Sequence, residues 1–330
     1  MRLLVLGGTH FVGRAVVAEA LARGDEVTAV TRGVSGNPGA AAEAIRADRT
    51  AGGALAAALG DRSWDAVIDT WSGAPRVVAD SARLLAGRAG HYGYVSSRSV
   101  YRWPIPVGLD ETAPVVDGDP ASDDAADYAA AKRGAEIAVG AAFGDRALLA
   151  RAGLVLGPYE DVGRLPWWLR RLERGGRVLA PGPPDRPLQL IDARDLAVWM
   201  LACADQGRGG AFNAVSQPGH ATMASLLTDA RRVTGSDAKL VWASPEVISA
   251  AGIEAWTELP IWLPPTGEAA GLHAGDVSRA YAAGLRCRPV AQTVADTWRW
   301  LQTEGDPQPR SRPAPGLDPV KEQRVLATLG

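Results

Sequence analysis

The chain has 330 residues, of which 37 are acidic and 35 basic, giving a formal net charge of −2. This near balance argues against nucleic-acid binding, because a nucleic-acid-binding surface needs an excess of Lys and Arg. No apolar run is long enough to cross a bilayer, and the chain enters a strand pattern at once without a signal peptide, so we expect a cytoplasmic protein with no membrane partner.

Strand and helix signals alternate through the first half of the chain, the order that a doubly wound parallel sheet requires. Leu3–Leu6 is the short apolar run of a buried parallel strand, and a helix is predicted over Phe11–Ala22, stopped by Gly24. Further strands are predicted at Glu26–Thr31, Ala44–Ala47, Asp65–Asp69, His91–Ser96 and Arg146–Ala150. The helices between them are expected to end at Leu59, to cover Val77–Ala86 and to cover about Asp123–Phe143.

The pattern changes after Gly157-Pro158, where prolines and tryptophans become frequent. Late strands at Leu188–Ile191 and Ala211–Val215 enclose a helix over Asp195–Ala204. We therefore expect an α/β fold, with a Rossmann-type doubly wound parallel sheet and a smaller C-terminal substrate lobe. The predicted ranges are 1–155 plus about 186–216 for the dinucleotide-binding domain, 157–185 plus 217–304 for the lobe, and 305–330 for a proline-rich tail with a short helix at Lys321–Leu329.

The first turn predicts a dinucleotide site. Gly7-Gly8-Thr9 follows the first strand directly, and Gly13 lies in the helix after it. Glycines at such a turn let the backbone approach a pyrophosphate, and the helix N-terminus supplies N–H donors and a partial positive charge. The spacing is Gly7-x-x-His10-x-x-Gly13, so the usual middle glycine is missing. A structural glycine turn on another kind of α/β protein is the alternative.

Two segments carry the residue types of a proton-transfer site. Ser97 follows the fifth predicted strand, at the sheet edge where open α/β proteins bind ligands. Tyr128 and Lys132 are four residues apart on the next helix and therefore share one face. An ammonium beside a phenol favours the phenolate, and a serine can hold a substrate oxygen beside it. A surface stacking pair is the structural alternative for Tyr128 and Lys132.

These motifs together resemble those of the extended, or atypical-extended, short-chain dehydrogenases/reductases, the superfamily of the NAD-dependent epimerases/dehydratases. The resemblance covers about residues 1–304 and includes Arg151–Pro158, Ile191–Ala197 and Asp276–Arg279. It implies a catalytic triad of Ser97, Tyr128 and Lys132. It also implies a cofactor site in which Asp48 lies near the adenine and the other contacts come from Gly7, Thr9, His10, Phe11, Val12, Gly13, Thr31, Arg32, Thr70, Trp71, Lys132 and Ala152.

Three positions depart from the family pattern. His10 replaces the middle fingerprint glycine, and Ala152 replaces the proline usual after the arginine near the nicotinamide. Arg98-Ser99 stands where the sugar-nucleotide dehydratases have Asp-Glu for elimination. The last departure argues against a dehydratase.

The end of the second strand, Val30-Thr31-Arg32-Gly33, indicates the cofactor. An NAD-binding site places an acidic residue here for the ribose 2′-hydroxyl, and no carboxylate is present. Arg32 suits a 2′-phosphate through charge-assisted contacts. We therefore expect NADP(H), with NAD(H) as the alternative if Arg32 is a solvated loop residue.

The substrate is less well defined by the sequence. Candidates for the substrate pocket are Trp71, Ser97, Tyr101, Trp103, Trp167 and Trp168, although any of the tryptophans could instead pack between the lobes. Arg102, Arg164, Arg170 and Arg171 are candidates to meet an anionic substrate. We expect His220 and His273 to cap helices or face solvent, and Asp192 and Asp195 to orient backbone and helix termini.

The leading hypothesis is an NADPH-dependent reductase of a carbonyl or imine of a small metabolite, or the reverse oxidation. A nucleotide-sugar epimerase that holds NAD tightly is the first alternative, and a non-catalytic dinucleotide sensor or RNA-binding relative is the second. The expected partner is a small molecule, with no nucleic acid and with a homodimer left open. Cys203, Cys287 and the four scattered histidines show no metal-ligand spacing, which predicts free thiols and no metal site.

Overall fold

The strands and helices follow the alternation that the sequence predicts. In the computed structural model, which describes residues 1–34, 36, 39, 42–306 and 314–329, the strands are β1 (Arg2–Leu6), β2 (Glu26–Thr31), β3 (Glu43–Arg46), β4 (Trp64–Asp69), β5 (Ala89–Ser97), β6 (Ala147–Ala152), β7 (Leu154–Leu156), β8 (Arg177–Pro181), β9 (Pro187–Leu188), β10 (Leu190–Asp192), β11 (Gly210–Ala214), β12 (Ala221–Thr222) and β13 (Lys239–Ala243). The helices are α1 (Phe11–Ala22), α2 (Ala54–Leu59), α3 (Pro75–Leu85), α4 (Tyr128–Phe143), α5 (Arg164–Glu173), α6 (Ala193–Asp205), α7 (Met223–Thr234), α8 (Pro245–Ala250), α9 (Ser278–Ala282), α10 (Val290–Glu304) and α11 (Pro319–Thr328).

The central sheet is parallel throughout, in the order β11-β6-β5-β4-β1-β2-β3. Helices α1 and α6 cover one face and α3 and α4 cover the other, so the strands are largely buried on both sides except for the exposed edge strand β3. This arrangement confirms the predicted Rossmann-type α/β fold. The strand order reverses beside β1, and open α/β sheets bind ligands at the carboxyl ends of the strands on either side of such a reversal.

A second hydrophobic core forms the smaller lobe. It is built by α5, α7, α10 and α11 around the parallel pair β8 and β13. The chain returns from this lobe to the central sheet through β10, α6 and β11 before completing the lobe. Helix α9 differs from the predicted partition, because Ala280 and its neighbours pack in the core of the sheet domain.

Several element boundaries differ from the sequence-based expectation for identifiable reasons. The helix expected from about Asp123 begins at Tyr128, because the Asp127 side chain accepts from the Ala130 N–H and caps the helix there. The strand expected over Leu188–Ile191 is divided at Gln189, whose N–H donates to His273 Nδ1 instead of to a neighbouring strand.

The end of the chain is tied to the smaller lobe. Helix α11 matches the predicted short helix closely, and its Glu322 is buried against Arg171 and the Leu179 N–H. Residues 307–313, which belong to the predicted proline-rich tail, lie outside the described residues.

The described residues contain neither a membrane span nor a metal cluster. None of the helices in this part of the chain combines the length and apolarity that a bilayer crossing needs. No group of three or more metal-ligating side chains comes together there, and Cys203 and Cys287 are free thiols.

Candidate active site

A cavity of about 760 Å³ opens at the carboxyl edge of the sheet. Its walls include the residues that end four central strands: Leu6 of β1, Thr31 of β2, Ser97 of β5 and Ala152 of β6. The smaller lobe closes it from the other side. The volume lies in the range of ordinary small-molecule and cofactor sites.

The turn after β1 forms one end of the cavity. Gly7 has φ +103°, which L side chains rarely adopt, and a Cβ at Gly13 would overlap the Gly7 carbonyl oxygen. Gly8 has a packing role that the sequence analysis did not assign, since a Cβ there would lie 2.9 Å from Val17 and 3.0 Å from Ala29. The N-terminus of α1 therefore sits close behind the turn, and His10 makes no side-chain capping bond to it. The free backbone N–H groups in the first turn of α1 are suited to bind a phosphate. The predicted cofactor contacts that line this end are Gly7, Thr9, His10, Phe11, Val12 and Gly13.

The end of β2 continues the cavity wall. Thr31 and Arg32 both line it, and the described lining in this region contains no carboxylate. Thr70 and Trp71, directly after β4, also line the cavity, as does Ala152.

Asp48 does not line the cavity. It is exposed, and its Oδ1 accepts from the N–H and hydroxyl of Thr50. The next residue, Arg49, lines the cavity instead and pairs with Asp69 through two hydrogen bonds of 2.8 and 2.6 Å. Although burial opposes it, this pairing holds the pKa of Asp69 below its usual value. Arg49 and Asp69 carry no local sequence signal of a site, because their pairing joins residues 20 positions apart.

Ser97, Tyr128 and Lys132 all line the same cavity. Ser97 is the last residue of β5, and its Oγ accepts from the Ser99 N–H at 3.1 Å. Tyr128 is the first residue of α4, half-buried, with Lys132 one turn further along. The sequence spacing therefore brings the three residue types of the predicted triad to one site.

Lys132 is buried, and its surroundings change its acid–base behaviour. Its Nζ donates to the carbonyl oxygens of Trp71 at 2.7 Å and Val95 at 2.8 Å, and lies 5.9 Å from the centroid of the Tyr128 ring. Burial lowers the pKa of Lys132 to about 7, against the opposing charges of Asp69 and Glu136. The amine can therefore gain or lose its proton near neutral pH, beside the phenol.

The far end of the cavity is largely apolar. Its walls there are formed by Trp103, Ile105, Trp256, Leu263 and Leu272. Of the predicted pocket residues, Trp71, Ser97 and Trp103 line the cavity.

The other three predicted pocket residues lie outside the cavity lining, two of them fully buried and Trp167 partly buried. Tyr101 is fully buried, and its hydroxyl donates to Asn213. Trp168 is fully buried in the core of the smaller lobe, where its Nε1 donates to the Pro260 carbonyl, and Trp167 packs edge-on against it. Packing holds all three outside the lining, and hydrogen bonds also hold Tyr101 and Trp168, through contacts that the sequence does not reveal.

The arginines predicted as candidate anion contacts occupy different places. Arg164 lines the cavity, with its guanidinium carbon 5.0 Å from the Trp256 ring centroid. Arg102 is an exposed residue near Asp117, whereas Arg170 pairs with Asp306 and Arg171 with Glu322. Of these four, only Arg164 is in the cavity lining.

His273 is buried in the cavity wall, which corrects the expectation that it caps a helix or faces solvent. Its Nδ1 accepts from the Gln189 N–H at 3.1 Å, so the ring proton belongs on Nε2, which faces the Ile261 carbonyl oxygen. Burial, with smaller contributions from Arg186 and Arg98, lowers the pKa of His273 to about 4. It is therefore a neutral wall residue at physiological pH.

Asp192 and Asp195 act as the sequence predicts, as orienting groups. Asp192 caps α6 by accepting from the Arg194 N–H, and Asp195 accepts from the Arg288 N–H. Neither lines the cavity.

The loop before α5 forms a lip over the cavity. Asp161 and Val162 line it, while the neighbouring Glu160 is fully buried and accepts from the N–H groups of Arg164 and Leu165. Burial raises the pKa of Glu160 to about 7. No motif in the sequence marks this lip.

The model of the NAD dependent epimerase/dehydratase family matches residues 3–214, which include the glycine turn, Arg32 and all three residues of the triad. The chain belongs to this family. This membership confirms the resemblance drawn from the motifs. No sequence among the curated proteins matches this family member.

Solved structures show the same fold in epimerases. UDP-glucose 4-epimerase of Thermotoga maritima, solved with UDP-glucose, has 16% identity and a TM-score of 0.66, over 92% of this chain and 99% of the other. The enzyme WbmH of Bordetella bronchiseptica, in complex with NAD+, has 17% identity and a TM-score of 0.67 over the same shares. UDP-glucose 4-epimerase of Thermus thermophilus, in complex with NAD, has 18% identity and a TM-score of 0.64, over 92% and 100%.

Proposed function

We propose that this family member is an NADP(H)-dependent oxidoreductase that reduces a carbonyl or imine of a small metabolite, or carries out the reverse oxidation. The observation that carries the cofactor choice is the end of β2. Thr31 and Arg32 line the cavity there, and the described lining beside them offers no carboxylate to accept from a ribose 2′-hydroxyl. An arginine at this place instead favours a 2′-phosphate.

The residues at the first turn fit a dinucleotide. Gly7 and Gly13 leave a cradle that a Cβ would fill, and the start of α1 presents N–H donors to it. Thr31 and Arg32 would contact the adenosine ribose, and Trp71, Lys132 and Ala152 line the path towards the triad. When bound, the nicotinamide supplies or accepts the hydride.

Ser97, Tyr128 and Lys132 would carry out the proton transfer. Ser97 would donate a hydrogen bond to the substrate oxygen and hold it beside Tyr128. Tyr128 would then donate its hydroxyl proton to that oxygen during reduction, or accept it during oxidation. The cationic form of Lys132 would lower the pKa of the Tyr128 phenol. The apolar walls around Trp103 and Trp256 would exclude water from the reacting carbonyl.

The proposal is tested on the purified protein by releasing and identifying any bound nucleotide. NADPH and NADH are then titrated, and absorbance at 340 nm is followed with a panel of small carbonyl compounds. We expect exchangeable NADPH, bound more tightly than NADH, and consumption of NADPH with at least one compound. Preferential binding of NADH, or NADPH binding without turnover of any compound, would contradict the proposal.

A nucleotide-sugar epimerase is the second candidate, because the structural likeness to UDP-glucose 4-epimerases extends over 92% of the chain. An epimerase would use the same triad with no net oxidation. It predicts NAD that survives purification and interconversion of UDP-glucose and UDP-galactose without a lasting change at 340 nm. The same samples therefore separate the two candidates, and nucleotide binding with no reaction of either type would favour a dinucleotide sensor.

A further inference from the structure

Arg98 is a buried arginine to which the described part of the chain supplies no paired carboxylate. It exposes only 4% of its surface. Arg151 and Arg171 are buried to a similar degree, and each has a glutamate partner: Glu136 at 2.9 Å and Glu322 at 2.7 Å. Because burying a cation without a directly paired carboxylate is costly, Arg98 differs from these two arginines in a way that needs a physical reason.

The hydrogen bonds of Arg98 leave one edge of its guanidinium unused. Its Nη1 donates to Gln189 Oε1 at 3.1 Å and to the Leu272 carbonyl at 2.8 Å. Its Nε and Nη2 are buried and have no hydrogen-bond partner among the described residues. These two nitrogens form one side of the planar group, the side that can bind both oxygens of a carboxylate at once.

This arginine lies in the wall of the cavity, directly after Ser97 in the chain. Gln189 and Leu272, which accept its two hydrogen bonds, line the cavity as well. The unused edge is shielded from solvent in this structure, so contact with a bound molecule requires the side chain to turn towards the cavity. That contact would place an anionic group close to the oxygen held by Ser97.

The charge around this end of the cavity favours an anion. Arg164 also lines it, and Arg186 lies behind, donating to the carbonyls of Pro264 and Ala270. His273 is neutral and adds no positive charge. Asp161 is the one carboxylate in the described lining, and outside the proposed cofactor contacts and the Arg49–Asp69 pair the lining cations are Arg98 and Arg164.

We propose that the substrate carries a carboxylate and that Arg98 is the residue that selects it. The inference rests on the proposed oxidoreductase function, because it places the carboxylate on the molecule whose carbonyl or alcohol reacts at Ser97 and Tyr128. The substrate class is then a small oxo acid, or the matching hydroxy acid, with an apolar body that fits between Trp103 and Trp256.

The test compares acids with their neutral amides by calorimetry on the protein, with and without NADPH. The probes are benzoate and straight-chain acids of four to eight carbons, the amide of each, and phenyl phosphate. We expect at least one acid to bind about tenfold or more tightly than its amide. Arg98→Gln should weaken that acid by about ten- to a hundredfold, the scale of a hydrogen bond to a charged group, and leave the amide unchanged.

Two further variants separate recognition from structural support. Arg98→Lys keeps the charge without the two-nitrogen edge and should retain part of the preference for the acid. Arg102→Gln removes an exposed arginine four positions away and should leave the affinities for the acid and the amide unchanged. Turnover of oxo acids and their methyl esters is followed separately at 340 nm, so a failure of the oxidoreductase proposal does not hide the binding result.

Three outcomes would overturn the inference. Equal affinity of the wild type for every acid and its amide would show that the site does not recognise a carboxylate. Tighter binding of phenyl phosphate than of any acid would indicate a phosphate-bearing substrate instead. Equal weakening of acid and amide by Arg98→Gln would show that Arg98 only holds Gln189 and Leu272 in place. If Arg98→Gln does not fold, the wild-type comparison and Arg98→Lys decide the question.

Discussion

The Gly7 carbonyl oxygen occupies the space where Gly13 would carry a Cβ. The turn after β1 and the first turn of α1 therefore approach each other through backbone atoms alone. This contact fixes how far the helix N-terminus stands behind the proposed phosphate position.

Replacing Gly13 tests whether the cofactor lies on this turn. We expect Gly13→Ala to push the turn and helix apart and to weaken NADPH by at least about a hundredfold, because the new methyl group meets backbone that cannot move aside cheaply. Gly140→Ala is the matched control: a Cβ there has no neighbour within 4 Å, so affinity should hold and stability should rise by up to about 1 kcal/mol. Calorimetric titration of folded samples decides it. Undiminished affinity in Gly13→Ala would place the dinucleotide elsewhere.

Tyr128→Phe tests the proton donor. The variant keeps the ring and loses the hydroxyl, so cofactor affinity should change little while turnover falls by at least about a hundredfold. Tyr281→Phe removes a hydroxyl that accepts from the Gln217 N–H outside the cavity lining, and its turnover should match the wild type. Steady-state rates at 340 nm provide the measurement. Near-normal activity in Tyr128→Phe would remove Tyr128 from the mechanism.

The buried Lys132 should make stability depend on pH in the absence of cofactor. Its folded-state pKa is about 7, whereas lysine in an unfolded chain titrates near 10.4. Between about pH 7 and 10 the unfolded chain holds a proton that the folded protein has released, so this group makes the free energy of unfolding rise with pH, by at most about 1.4 kcal/mol per unit.

Urea unfolding at several pH values between 7 and 9 measures that slope. Lys132→Met should show a smaller rise with pH than the wild type, and the exposed Lys239→Met should keep the wild-type slope. Parallel slopes in all three proteins would mean that Lys132 stays protonated when buried.

Arg32→Ala tests the basis of cofactor preference. Loss of a hydrogen bond to a charged phosphate should weaken NADPH by about ten- to a hundredfold and change NADH little. Thr31→Asp with Arg32→Asn should shift the preference towards NADH. Arg83→Ala, which removes an exposed arginine at the end of α3, serves as the control. If Arg32→Ala weakens both dinucleotides equally, the charge argument fails and the epimerase candidate gains support.

Two tryptophans should respond in opposite ways to truncation. Trp168 is fully buried in the smaller lobe, so Trp168→Ala should cost about 3–5 kcal/mol of unfolding free energy. Trp103 lines the cavity and is half exposed, so Trp103→Ala should leave stability nearly unchanged and raise the KM of the substrate. Urea unfolding and KM measurements on both variants check this. A stable Trp168→Ala protein with a raised KM would indicate that Trp168 contacts the substrate.

The parts of the site that the sequence predicts well depend on local spacing. A run such as Leu3–Leu6 is buried because a central parallel strand is covered on both faces. Tyr128 and Lys132 share a helix face because they are four residues apart. The end of β2 could be located from the strand pattern, and Arg32 with it.

The parts that the sequence does not predict depend on contacts between distant segments. Asp48 and Arg49 are neighbours in the chain, and the distant residues Asp69 and Ser81 hold the Arg49 side chain in its inward orientation. Gln189 and His273 are 84 positions apart in the chain, so the local sequence around either residue does not predict that they form a polar part of the cavity wall. Aromatic residues such as Trp168 favour the core and the cavity equally, and local sequence does not separate the two.

The salt bridge between Arg171 and Glu322 also has a consequence for biosynthesis. Arg171 is buried, and its carboxylate partner lies 151 positions later in the chain, on the last described helix. On the ribosome, the sheet domain can complete its core once α9 has emerged, whereas the smaller lobe must still wait for α11. Until then Arg171 and the apolar surface that α11 covers stay open to water, and a ribosome stalled before Pro319 would hold a folded sheet domain beside an unfinished lobe.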